Sequence, residues 1–194
     1  MKDLKLVLYL LIFVKVLSAE NDGITTLGFN FMVGGRYDNL RMCVGSPTGV
    51  KGGPIADIMF DIRRNFGNRH TIGFKLPIMR PILFGIRFKM LQFEPEFIYE
   101  YGIATEGKTS NVIGAGLGGS FHYGPDFETE RDDTEKIDFF AAGPFLSAFW
   151  GLRYQNKSSL DRMFGIRTFY TPLFSKKRST GTVVGAALEG HFDL

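Results

Sequence analysis

The chain has 194 residues, 44% of them apolar and 14% aromatic, with 24 glycines, 20 phenylalanines and a formal net charge of +3. That length suits one domain with a sizeable core. A mean hydropathy of +0.01 excludes a polytopic helical membrane protein, whose spans each need about 20 successive apolar residues. One cysteine, Cys43, excludes an intrachain disulfide.

Residues 1–19, MKDLKLVLYLLIFVKVLSA, have the pattern of a secretory signal peptide. Lys2 and Lys5 form a basic start, Leu6–Val14 an apolar run, and Ser18 and Ala19 a small-residue cut site. The expected organisation is a leader over 1–19 and one barrel domain over 20–194. Cleavage removes three lysines and one aspartate, leaving a formal charge of +1. Nothing in that charge favours nucleic acid as a partner.

Ile24–Arg36 alternates, with Leu27, Phe29, Phe31 and Val33 on one face. Strands have a side-chain period of two, so this reads as a strand. Tyr37–Gly53 is rich in Asn, Gly, Ser and Pro and reads as an external loop, with Leu40–Val44 long enough for a short strand. Ile55–Phe66 alternates Ile58, Phe60 and Ile62 with Asp57, Asp61 and Arg63. After a Gly67-Asn68 turn, His70–Met79 sets Ile72, Phe74, Leu76 and Ile78 against Thr71, Gly73 and Lys75. Arg80-Pro81 reads as a tight turn.

The run Ile82–Tyr101 is the most regular. Ile82, Phe84, Ile86, Phe88 and Met90 alternate with Arg87 and Lys89, the phase flips after Gln92, and Phe93, Phe97, Tyr99 and Tyr101 then alternate with Glu94, Glu96 and Glu100. Pro77 and Pro95 each delete a ladder donor within these stretches. Val112–Tyr123 sets Ile113, Ala115, Leu117, Phe121 and Tyr123 against Gly114, Gly116, Gly118, Ser120 and His122. A strip of glycines is what a narrow barrel needs where long inward side chains cross from neighbouring strands. Gly124–Lys136 is an acidic loop, and Ile137–Tyr154 is one long strand or two short ones. Trp150 and Tyr154, with Tyr99 and Tyr101, are candidates for an aromatic girdle at a membrane–water boundary. Arg162–Pro172 gives another strand, Ser175–Thr180 a basic turn, and the chain ends on a strand carrying Val184, Ala186, Leu188, Phe192 and Leu194 in one phase.

Charged groups at every second position opposite large aromatics fit a transmembrane barrel, with lipid on one face and an ion-paired lumen on the other. The lumen candidates are Asp57, Asp61, Arg63, Lys75, Arg87, Lys89, Glu94, Glu96 and Glu100. The terminal strand ending in Phe192 and Leu194 resembles the assembly signal of bacterial outer-membrane barrels. By this pattern the chain resembles small outer-membrane β-barrel proteins of the class that includes the OmpA membrane domain and OmpW-like proteins. The resemblance implies an all-β fold, a closed antiparallel up-and-down transmembrane β-barrel in the outer membrane of a diderm bacterium. It also implies outer-membrane lipid and the barrel-assembly machinery as partners. Nine strand candidates must reduce to an even number. Eight is the expected count and follows if the central run is one strand; ten follows if Leu40–Val44 pairs.

No constellation demands chemistry. His70, His122 and His191 lie in no metal-spacing motif, and neither a metal nor another cofactor is expected. Ser120 and His122 share a strand face, and outer-membrane lipid A deacylases are similar in placing a His and a Ser two apart on a strand. Here the order is reversed, and Glu128 or Glu130 would have to be the orienting acid, so no enzyme activity is expected. Two functions remain: a structural barrel or narrow pore for small solutes, and an exported soluble lipocalin- or calycin-like carrier of a small apolar ligand. They differ in which face of the wall is apolar.

Overall fold

The computed structural model describes residues 24–39, 50–66, 69–88, 90–103, 108–125, 138–155, 161–175 and 181–194. The leader, Cys43, Leu40–Val44, Lys89, Glu128, Glu130 and most of the acidic and basic loops lie outside them.

Among the described residues, nine strands and one short helix follow the alternating runs: β1 (Ile24–Asp38), β2 (Gly53–Phe66), β3 (His70–Pro77), α1 (Met79–Gly85), β4 (Leu91–Phe93), β5 (Glu96–Ile103), β6 (Thr109–Pro125), β7 (Asp138–Gln155), β8 (Asp161–Leu173) and β9 (Gly181–Asp193). All pairings are antiparallel, each neighbour in sequence pairs around the wall, and β1 meets β9 to close an eight-stranded barrel of β1, β2, β3, β5, β6, β7, β8 and β9. Closure pairs both edges of the ladder except above the end of β3, where β2 runs past its partner.

The stagger can be read from the register. Moving sideways from Tyr37 leads through Val184, Tyr170, Leu146, Leu117, Phe97, Phe74 and Ile62 to Leu27. The circuit returns to β1 ten residues below its start. A stagger of ten at about 3.3 Å per residue, across eight strands about 4.8 Å apart, tilts the strands by roughly 40°. Every member of that circuit points outward, and Leu117 is 60% exposed. The outer wall therefore carries an unbroken apolar spiral. The connections at one end are short (67–69, 104–108 and 156–160), whereas those at the other are long (39–52, 78–95, 126–137 and 174–180).

The central run is not one strand, which corrects the sequence reading. Its first half is α1, and its second half is β4 and β5. Positions 82 and 86 fit a helical face as well as an alternating strand, because both patterns contain spacings of four. Arg80 and Pro81 open that helix rather than forming a tight turn, and proline is tolerated in a first helical turn. The helix ends at Arg87, whose φ of 82° is left-handed, with the Phe88 N–H bonded to the Leu83 carbonyl. Beyond it, β4 and β5 keep one register along β6: Leu91 faces Tyr123, and Glu96 faces Gly118. The Gly119 N–H bonds the Pro95 carbonyl across the gap, so β4 prolongs β5 upward, outside the count of eight. The eight-strand total stands, although the route to it differs.

The glycine strip of β6 makes room for charged side chains. A Cβ on Gly116 would lie 2.1 Å from Glu96 Oε2 and 2.4 Å from Ser147 Oγ. Gly116→Val should therefore push Glu96 off its partners and cost about 2 kcal/mol. A lowered urea midpoint of the detergent-refolded protein would report it, and an unchanged midpoint would contradict this packing.

Candidate functional site: the charged interior

Strand alternation sends two layers of polar side chains into the bore. The layer nearer the short turns holds Arg63, Lys75, Arg153 and Arg167 with Asp61, Glu96, Glu100 and Glu189, four cations and four anions, all buried. Arg63 Nε donates to Asp61 Oδ2 at 2.8 Å, and its Nη1 donates to both Glu100 oxygens at 3.0 and 2.8 Å. Arg153 reaches the same Glu100 at 3.0 Å and Thr71 at 3.2 Å. Asn30 donates to Asp61, and its own oxygen accepts from Arg63 at 3.3 Å. Above these, Glu189 takes bonds from Lys75 and from Arg167 Nε. Arg167 Nη1 also lies 2.9 Å from Glu96 Oε1 and donates to Ser147 at 2.6 Å. The Arg167 guanidinium sits 5.8 Å from the Phe149 ring centre. Each ion taken from water costs several kcal/mol, so multiple partners per charge are what make this layer tolerable.

The layer nearer the long loops combines polar and apolar side chains. Arg80, held by α1, bridges Asp57 at 2.9 Å and Glu94 at 2.6 Å. Arg36 bonds Gln92 at 2.8 Å and Asp38 at 2.5 Å. Next to them, Met32, Met59, Phe145, Phe169, Leu173 and Val183 belong to one buried apolar cluster, with Met32 facing Asp57 in the register and Phe145 and Phe169 stacked at 5.8 Å.

Of the lumen candidates, Asp57, Asp61, Arg63, Lys75, Glu94, Glu96 and Glu100 point into the bore. Arg87 does not: it is exposed in the turn after α1, because that segment left the strand pattern. Tyr99, Trp150 and Tyr154 lie exposed on the outer wall, and Tyr101 is half-exposed there. Tyr99 bonds His70 Nδ1 at 2.8 Å and Tyr154 is one residue from the end of β7, both beside the short turns. Trp150 sits higher on the wall, opposite Ile113 and Ile166. Phe192 is half-exposed against Phe31 and Phe164, and Leu194 is exposed beyond β9. Arg36, Asp38, Arg80, Arg153, Arg167 and Glu189 were missed in the sequence. All but Arg80 lie in the inward phase of their strands, so the alternation itself carried the signal.

Ser120 and His122 do meet a carboxylate, but it is Glu94. Ser120 Oγ is 2.9 Å from His122 Nε2 and 3.1 Å from Glu94 Oε1, while His122 Nε2 lies 3.4 Å from that same oxygen. A serine–histidine–acid relay needs the serine and the acid on opposite ring nitrogens. Here both face Nε2, and the trio is fully buried. Among the described residues, no cluster of His, Cys, Asp or Glu has the grouping to hold a metal ion.

The apolar wall outside and the ions inside are the reverse of a lipocalin-type carrier, whose rings line an interior cavity and whose charges face water. That alternative falls on this orientation. No protein-family model matches the chain, and no curated protein matches it. Among solved structures, that of Neisserial surface protein A aligns over 90% of this chain and all of its own, at 10% identity and a TM-score of 0.58. The two share a fold. The N-terminal β-barrel domain of Pseudomonas aeruginosa OprF covers 88% of this chain and all of its own, at 9% identity, and its TM-score of 0.40 adds nothing to that assignment.

Glu189→Gln should leave Lys75 and Arg167 short of one negative charge and lower stability by about 3–5 kcal/mol. Adding Lys75→Met should recover at least half of that in urea unfolding. No recovery would mean that the charges are not coupled as the distances imply.

Proposed function

We propose that this protein is an integral outer-membrane β-barrel whose bore is closed, acting as a structural or surface barrel rather than an open pore. The observation that carries this reading is the pairing of four cations with four anions across a single layer of the lumen. A water-filled path needs inward side chains separated by solvent. Here guanidinium, ammonium and carboxylate groups contact one another from β2, β3, β5, β7, β8 and β9. The continuous apolar spiral supports a hydrocarbon surround, since a circuit of Leu, Ile, Val, Phe and Tyr has no reason to face water. Short turns at one end and long connections at the other match the periplasmic and external sides of such barrels.

The fold shared with a Neisserial surface protein supports the same location in a diderm bacterium. Export through cleavage after Ala19, and insertion by barrel-assembly machinery reading the terminal Phe192–Leu194 strand, complete the proposal. Neither a cofactor nor a catalytic step enters it.

The test is reconstitution. Protein that co-floats with lipid vesicles after a carbonate wash should give no steady conductance in planar bilayers. Glu96→Ala with Arg167→Ala, which removes a pair from the layer, should produce discrete current steps. Steady conductance from the unaltered protein would overturn the closed bore, and failure to float would overturn membrane insertion.

A further inference from the structure

Among the described residues the barrel wall is interrupted above the end of β3. The β2–β3 ladder stops at Met59 facing Pro77, with one more bond from the Ile78 N–H to the Ile58 carbonyl at 2.9 Å. On one side β2 continues as far as Gly53, and on the other β4 continues along β6. No strand fills the position between them among the described residues. The chain there folds into α1, which packs against β4 and β2 and covers the space without sealing it.

What remains is a cavity of about 160 Å³ in the wall. Towards the outside it is lined by Pro54, Ala56, Met79, Leu83 and Phe88, and the buried Ile55 lies behind them. Its inner wall is Arg80 and Gln92, whose polar ends are already engaged by Asp57, Glu94 and Arg36. A ligand entering here need bring no hydrogen-bonding group to the inner end. The volume resembles that of apolar cavities that accept one benzene molecule, so it takes a few methylene groups rather than a whole chain. Ile82 on α1 and Ile86 just after it are 61% and 63% exposed, and Phe88 is 45% exposed, which continues the apolar surface outward from the mouth. Two exposed cations stand at the same end, Lys51 three residues before Pro54 and Arg87 next to Phe88.

We infer that this notch is a lateral binding site for one acyl chain of an anionic, phosphate-bearing lipid in the outer leaflet, with Lys51 and Arg87 meeting the headgroup. The inference rests on the membrane reading above. Charge selects the occupant: an uncharged amphiphile would have no use for the two cations, and a peptide would need polar groups that the mouth lacks.

The test uses the full chain in phosphatidylcholine nanodiscs carrying traces of a diazirine-tailed lipid. Three probes are run separately: phosphatidylglycerol, lipid A and diacylglycerol. With one of the two anionic probes, photolabelling at Ile55, Leu83 and Phe88 should exceed that at Leu188, a wall residue 68% exposed, by roughly fivefold or more. Whichever anionic probe labels more strongly identifies the source. Ala56→Phe, an outward-facing change that fills the mouth, should abolish the excess while circular dichroism stays unchanged. Lys51→Glu with Arg87→Glu should cut anionic labelling roughly tenfold and leave diacylglycerol labelling alone. Notch labelling no higher than at Leu188, or an excess that survives Ala56→Phe in a folded barrel, would overturn the site. Labelling indifferent to the charge reversal would overturn the headgroup contact. Absence of labelling at Leu188 itself would instead sink the membrane reading.

Discussion

Everything in this barrel depends on how little room eight strands enclose. Such an interior just accommodates side chains, so each inward group must touch another. With eight ions in one layer, the contacts have to be between opposite charges. Glu189 shows the constraint most plainly: it is fully buried and binds both Lys75 and Arg167, and Arg167 in turn holds Glu96. Removing Glu189 leaves Lys75 buried without its hydrogen-bond partner. The glycines of β6 belong to the same arrangement, because Gly116 gives up its side chain so that Glu96 can lie against Ser147.

The outer face obeys the opposite rule. Closing the ladder satisfies the backbone groups between strands, and what remains to be matched is the surroundings of the side chains. Leu188, Leu117 and Phe164 face outward with more than half their surface uncovered. In water such a wall would aggregate, whereas in hydrocarbon it is neutral or favourable. Packing and location are therefore one statement about this chain. The interruption at β3 departs from it locally, since α1 replaces a strand there and leaves apolar side chains around a recess in the wall.

Much of this was legible in the sequence because strand alternation is a two-state code. Once Phe29 and Phe31 are outward, Asn30 and Met32 must be inward, and the same holds for Asp61 against Ile62. The code also marked Arg153, Arg167 and Glu189, but each stands alone, with no Asp, Glu, Lys or Arg two residues away to make the alternation of charge visible. It failed at Ile82–Met90, where spacings of four serve helix and strand alike. Partner identity was not legible anywhere: Ser120 and His122 find Glu94 from the link between β4 and β5, and only the register brings those residues together. Arg80 is the extreme case, since nothing local distinguishes a turn residue from a buried bridge between Asp57 and Glu94.

The claim that hydrocarbon surrounds the apolar wall has a direct optical test, because Trp150 is the protein's one tryptophan and is 57% exposed on that wall. In bilayers of lipids brominated along the acyl chain, its fluorescence should be strongly quenched, and aqueous acrylamide should scarcely affect it. Quenching by acrylamide but not by brominated chains would place the wall in water and contradict the account.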